Sequence, residues 1–157
     1  MIHRLATKET LIRNRVFTYI TRGVELLVLD YVDHSYAEPQ IPGGTIEPGE
    51  SPAAAAIREA EEETGLTDLK VISFLGSFKK DLRDIGRNEV IQAWFFHLEA
   101  GNPTPERWVH SEADPHEGQG PIVFELHWVP IDAIPKLGGI DSAMLPKLKE
   151  SIANRED

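Results

Sequence analysis

The chain contains no cysteine among its 157 residues, which excludes a disulfide framework, a thiolate nucleophile and any cysteine-ligated zinc or iron–sulfur centre. It also lacks a long hydrophobic run. Stretches such as 26–29 and 122–124 fall far short of the roughly 20 apolar residues that cross a bilayer. The opening MIHRLATKETLIRNR carries no apolar core of a secretion signal. Positive charge is scarce as well: 16 Lys and Arg against 26 Asp and Glu leave a formal net charge of -10, so the surface field disfavours duplex DNA and anionic membranes. These absences lead us to expect a cytoplasmic protein with neither a membrane nor duplex DNA as partner.

What remains is an ordinary globular composition, with 11 prolines and 12 glycines spread along the chain, of a length that suits one domain over residues 1–157. Residues 16–20 and 24–31 are rich in β-branched, aromatic and other apolar side chains around Arg22-Gly23, which predicts a hairpin. Residues 33–50 hold too much proline and glycine for a helix interior and read as a loop with bridge-like strands. Ser51 can cap a helix, Pro52 suits its first position, and Gly65 can close it in the left-handed conformation, so a helix is expected over about 52–64.

After that helix, residues 69–78 and 90–98 read as strands joined by a charged loop over 79–89. Residues 101–120 are polar and turn-rich, which suggests a long loop and a candidate lid. Residues 122–130 read as a last strand. Residues 141–154 read as a closing helix capped by Asp141 or Ser142, with Leu145, Leu148 and Ile152 on one face. The expected class is α+β, with a mixed β-sheet and two main helices.

Chemistry concentrates on the first helix. Glu59, Glu62 and Glu63 stand at i, i+3 and i+4, so the three carboxylates project from one face. An acidic helix face alone is usually a solvated surface. Here it follows Gly43-Gly44, which allows close backbone approach, and Glu50, and it contains Arg58, which can hold a carboxylate bidentately. Clustered hard oxygens suit Mg²⁺, which keeps several waters and completes its shell with substrate phosphates.

Residues 44–66, GTIEPGESPAAAAIREAEEETGL, resemble the Nudix box, G-x5-E-x7-R-E-U-x-E-E-x-G-U with U a bulky aliphatic residue. Gly44, Glu50, Arg58, Glu59, Glu62, Glu63 and Gly65 match its fixed letters and Leu66 its last position, while Ala60 is smaller than the pattern asks. At typical residue frequencies such a match arises by chance on the order of once in 10⁸ to 10⁹ start points. The resemblance implies a Nudix-like α/β/α sandwich that hydrolyses a pyrophosphate bond. Its substrate would be a nucleoside diphosphate derivative or a nucleoside triphosphate, attacked by water at phosphorus. It also implies Mg²⁺ or Mn²⁺ held by Glu59, Glu62 and Glu63, with Glu50 and the Gly44 carbonyl nearby and Arg58 orienting a glutamate. The alternative is a catalytically silent module that binds nucleotide; the retained set of Glu59, Glu62, Glu63 and Arg58 argues against it.

Other candidates carry less. Lys79, Lys80, Arg83 and Arg87 form a basic cluster suited to substrate phosphate or to a solvated hairpin tip, and Arg13 and Arg15 are similar. Phe17, Tyr19, Trp94, Phe96 and Trp108 are aromatic groups for stacking a base or filling the core. As general base, Glu62 ranks above Glu112, a member of a group with His110, Asp114, His116 and Glu117 in the long loop. Dimerisation is common in the family the chain resembles, so a homodimer is compatible with it, although no heptad argues for one. Nothing in the sequence selects one nucleotide substrate.

Overall fold

The computed structural model describes residues 9–33, 37–101, 103–112 and 122–156. Strands β1 (Leu11–Arg22) and β2 (Glu25–Tyr31) form the expected hairpin and are followed by a short β3 (Gly43–Thr45). Helix α1 (Pro52–Thr64), the long strands β4 (Leu69–Asp81) and β5 (Glu89–Ala100), β6 (Arg107–Glu112), β7 (Ile122–Pro130) and helix α2 (Leu145–Glu156) complete the chain. The sheet runs β4-β5-β1-β2-β7-β6, with β3 added on β1. It is mixed, because β1 and β5 pair in parallel from Leu11 to Thr21 while the other pairs are antiparallel.

The period-two pattern of the strands gives the sheet two apolar faces. Val16, Ile20, Leu27, Leu29, Phe96, Leu98, Phe124 and Leu126 pack under α1 with Ala55, Ala56 and Ala60. Phe17, Tyr19, Leu26, Val28, Ala93 and Phe95 pack on the opposite face with Ile41, Leu137 and Leu148. The result is the expected α/β/α sandwich. Ala60 is fully buried, so a small side chain there brings the α1 backbone close to the sheet, and a larger one would overpack the contact at a cost of roughly 1–3 kcal/mol.

A split in the sheet positions the glycine loop. β2 pairs with β1 only at Thr21 and Arg22, and β3 pairs with β1 at Arg15–Phe17. Between them, residues 40–43 fill the wedge: Gln40 bridges to Leu29, and the Thr18 N–H donates to the Pro42 carbonyl at 2.8 Å. Gly43 and Gly44 therefore arrive at the mouth of the wedge, facing α1.

Helix α1 starts and stops where its sequence directs. The Ser51 hydroxyl accepts the Ala54 N–H at 3.1 Å, and Gly65, at φ 78°, donates its N–H to the Glu61 carbonyl at 2.8 Å.

Three expectations need correction. The stretch 101–120 is not a loop throughout, because residues 107–112 form β6 on β7; Trp108 and His110 face α1 while Arg107 and Val109 face away, an alternation hidden by the turn residues on both sides. The loop 79–89 is shorter than expected, since β4 runs to Asp81 and β5 begins at Glu89 around a 3-10 turn at Arg83–Ile85. The closing helix starts at Leu145 and is capped by neither Asp141 nor Ser142. Residues 139–144 are turns, and the Asp141 carboxylate is engaged instead by the Ile41 N–H at 2.9 Å. No helix among the described residues is long and apolar enough to cross a membrane.

Candidate active site

The middle and C-terminal turns of α1, β3 and the turn before the helix form one acidic surface organised by a single arginine. Arg58 donates to both oxygens of Glu50, through Nε at 2.7 Å and Nη2 at 2.8 Å. Its Nη1 reaches Glu59 at 3.1 Å and Glu62 at 3.3 Å, and Nη2 also donates to the Thr45 carbonyl at 3.0 Å. The expected role of Arg58 in holding a glutamate is thus extended: it holds Glu50 bidentately, the strong fork-on-carboxylate geometry, and fastens α1 to β3 in the same motion.

These contacts perturb the charges they join. The Arg58 hydrogen bonds, helped by the Glu47 N–H at 3.0 Å, hold the Glu50 carboxyl well below the usual range, at about 2. The same hydrogen bond to Glu50, then the attraction and hydrogen bond of Glu59 and the bond to Glu62, push the Arg58 guanidinium further up. Glu50 therefore stays ionised at any working pH.

Glu59 is nearly buried, at 8% exposure, and lies against Gly44. A Cβ on residue 44 would come within 2.5 Å of Glu59 Oε2 and closer still to Oε1, so only glycine leaves the carboxylate its place. Glu63 turns to the neighbouring residue, its Oε1 accepting the Gly43 N–H at 2.7 Å. Glu62 is the most open of the three, with its side chain 47% exposed.

Among the described residues, no three acidic or histidine side chains form a closed metal cage; Glu50, Glu59 and Glu62 converge on Arg58 instead. The donor set still suits a hard divalent cation. Its atoms are carboxylate oxygens with a backbone carbonyl beside them, and Mg²⁺ retains most of its waters, so one or two carboxylates suffice.

The C-terminal end of α1 is fastened from β6. The Trp108 indole N–H donates to the Thr64 carbonyl at 2.8 Å, and His110 Nε2 lies 2.9 Å from the Glu62 carbonyl. These bonds satisfy carbonyls that a helix end otherwise leaves open. Trp108 also lies against Trp128, with ring centroids 6.4 Å apart. Its polar atom is committed to the helix end, at the Thr64 carbonyl. For Glu112 the structure places only the backbone, at the end of β6 opposite Ile122; Asp114, His116 and Glu117 lie outside the described residues.

The basic cluster is spread along the β4–β5 hairpin and is largely neutralised there. Arg83 pairs with Asp81 at 2.7 Å and Arg87 with Glu89 at 2.9 Å. Lys79 is exposed and pairs in register with Gln92, two residues along β5 from Trp94 and so on the α1 face. Arg13 is joined to Glu89 at 3.2 Å. Of the aromatic candidates, Phe17, Tyr19 and Phe96 are buried. Trp94 is half-buried on the α1 face, where Phe74, 51% exposed, stands 6.0 Å from it. Phe74 was not legible as a surface residue because two bulges in β4, between Val71 and Ser73 and between Phe74 and Gly76, reset which residues share a face.

Comparison with known proteins agrees with this fold. The model of the NUDIX domain matches residues 12–148. The Bacillus subtilis (strain 168) protein YtkD, provisionally named an 8-oxo-dGTP diphosphatase, is 33% identical over 104 residues, which are 65% of this chain and 56% of YtkD; the match thus spans about half the length of that relative. In fold, the chain resembles a crystal structure of a UDP-X diphosphatase, with TM-score 0.63 and 19% identity over 98% of this chain and 66% of that one. It also resembles an Ap4A hydrolase from C. elegans, with TM-score 0.62 and 20% identity over 90% of this chain and 98% of the other. With the family match covering most of the sequence and the sandwich shared with these structures, the chain belongs to the Nudix family.

Proposed function

We propose that the chain is a metal-dependent Nudix pyrophosphohydrolase that cleaves a pyrophosphate bond in a nucleoside diphosphate derivative or nucleoside triphosphate. One observation carries the reading: Arg58 gathers Glu50, Glu59 and Glu62 while Gly44 and Gly43 receive Glu59 and Glu63, so every fixed position of the box before Gly65 takes part in one site. Relatives named for 8-oxo-dGTP, UDP-X and Ap4A support a small nucleotide as substrate without selecting one.

Nudix proteins generally work with divalent metal ions; Glu59, Glu62 and Glu63, with Glu50 and the Gly44 carbonyl beside them, are the residues that would hold Mg²⁺ or Mn²⁺ here. When bound, the ion neutralises the diphosphate and lowers the pKa of water. Glu62, open to solvent, takes the proton from the attacking water, while Arg58 keeps the carboxylates in register. Lys79 offers a cation to the phosphate chain, and Arg83 and Arg87 serve that role only by leaving Asp81 and Glu89. The Phe74–Trp94 pair on the same face offers a surface for the base. Trp108 supports the helix end.

The test is phosphate or nucleotide release from a panel of nucleoside diphosphate sugars, dinucleoside polyphosphates and nucleoside triphosphates, with Mg²⁺, with Mn²⁺ and with chelator. Metal-dependent cleavage that Glu62→Gln abolishes, with the fold intact, is expected. Nucleotide binding without cleavage across the panel would replace the hydrolase reading with that of a binding module.

A further inference from the structure

Asp141 is a buried titratable group outside the acidic surface, 7% exposed, on the face of the sheet opposite α1. Its carboxylate Oδ2 accepts the Ile41 N–H at 2.9 Å. Its carbonyl accepts the Tyr19 hydroxyl at 2.6 Å, and that hydroxyl in turn accepts the Met144 N–H at 3.1 Å. One turn earlier, the Gly138 N–H donates to the Pro39 carbonyl at 2.9 Å. The segment before α2 is therefore bolted at two points to the segment that enters the split in the sheet. Two and three residues beyond Ile41, that segment delivers Gly43 to Glu63 and Gly44 to Glu59.

We propose that Asp141 is a positioning residue for the glycine loop, its ionised carboxylate fixing residues 41–44 against the carboxylates of α1. A charge-assisted bond is roughly twice as strong as a neutral one, so the ionised form holds the loop harder than the protonated form.

Burial pushes the Asp141 carboxyl up to about 6, against the opposing effects of the Ile41 N–H and the Arg15 guanidinium. The groups facing it are Arg15 and the Tyr19 phenol from β1; from the turn side, Gly138 and Met144 contribute only backbone, and the Lys136–Glu38 pair, at 3.3 Å, flanks the same junction. Because its folded-state value lies above the ordinary 3.8, ionising Asp141 costs folding stability as pH rises toward 6. A carboxylate that weakens the fold when charged, yet holds a site loop, points to positioning and away from simple stabilisation.

The experiment follows backbone amide shifts of ¹⁵N-labelled protein from pH 4.5 to 8, a readout independent of any activity. The Ile41 and Gly43 amides are expected to titrate together near pH 6, and Asp141→Asn should flatten both. Turnover should show the same dependence: the native-to-D141N ratio should be about tenfold at pH 8 with KM nearly unchanged, and should shrink toward one at pH 5. An Ile41 amide that does not titrate, or a turnover ratio constant with pH, would overturn the assignment. The activity arm rests on the hydrolase reading. An absence of turnover in the native protein would sink that reading and leave the amide titration to decide the role of Asp141.

Discussion

Replacing Gly44 with alanine separates the site from the fold more cleanly than removing a carboxylate. The residue does not have a positive φ, so an alanine backbone fits, and the added Cβ meets the far end of the flexible Glu59 side chain. With Glu59 Oε1 and Cδ lying nearer that Cβ than Oε2 does, the carboxylate must move by about 1.5 Å to restore ordinary contact near 3.5 Å. Rotation about the Glu59 side chain accomplishes this, so the expected loss of stability is below about 1 kcal/mol. A displacement of that size at a reacting centre costs on the order of 100-fold in rate. The assay is metal-dependent turnover beside urea denaturation, with Gly23→Ala as a control. At φ 57° and with nothing within 4 Å, Gly23→Ala should cost stability, roughly 1–2 kcal/mol, and no turnover. Native turnover in Gly44→Ala, or a rate loss matched by its loss of stability, would refute the reasoning that Glu59 is placed for chemistry.

Three further outcomes follow from the charges and bonds described. Because the Glu50 carboxyl is depressed to about 2, its contribution to stability is present above the ordinary 4.5 and lost as pH falls toward 2. Urea midpoints measured from pH 7 to 2.5 should show Glu50→Gln flattening that interval. His97, 1% exposed and hydrogen-bonded to Thr21 and Ser151 at 2.8 and 2.7 Å, is lowered to about 4 by burial. Its neutral form stabilises the fold above 6.5, and that contribution falls away as pH drops toward 4, so His97→Gln should remove this dependence in thermal melts. Trp108→Phe deletes the donor to the Thr64 carbonyl and should cost about 1 kcal/mol; an increase in KM with no loss of stability would return Trp108 to the substrate.

The parts of the fold that local chemistry determines were legible in the sequence. Ser51, Pro52 and Gly65 mark both ends of α1, and the spacing of Glu59, Glu62 and Glu63 places them beside Arg58. What was not legible depends on partners distant in the chain. Strand β6 is secured by pairing with β7 and by bonds from Trp108 and His110 to a helix more than 40 residues earlier. Asp141 looks like a cap, yet its best partner is the Ile41 amide, 100 residues away. The Thr45 carbonyl that Arg58 uses is a backbone atom with no side-chain signature at all. The basic cluster shows the converse: its charges were visible, but not that Asp81 and Glu89 neutralise two of them.

The two fastenings of α1 explain why its carboxylates can be exact in position without being rigid in charge. Midway along the helix Arg58 ties Glu50 and Thr45 to it; at the C-terminal end Trp108 and His110 hold the Thr64 and Glu62 carbonyls. The helix backbone is pinned against the sheet by buried Ala55, Ala56 and Ala60, so Glu62 can move only through its own side chain. Of the three carboxylates hydrogen-bonded to Arg58, namely Glu50, Glu59 and Glu62, Glu62 has the longest contact, at 3.3 Å, and the most exposed side chain. An arginine already saturated by Glu50 and Glu59 releases Glu62 at little cost, since an exposed i,i+4 pair is worth only about 0.3–0.5 kcal/mol. In the proposed hydrolase a divalent cation or the proton of a water would compete for Glu62 on those terms, while Glu50, held at about 2, keeps Arg58 in place.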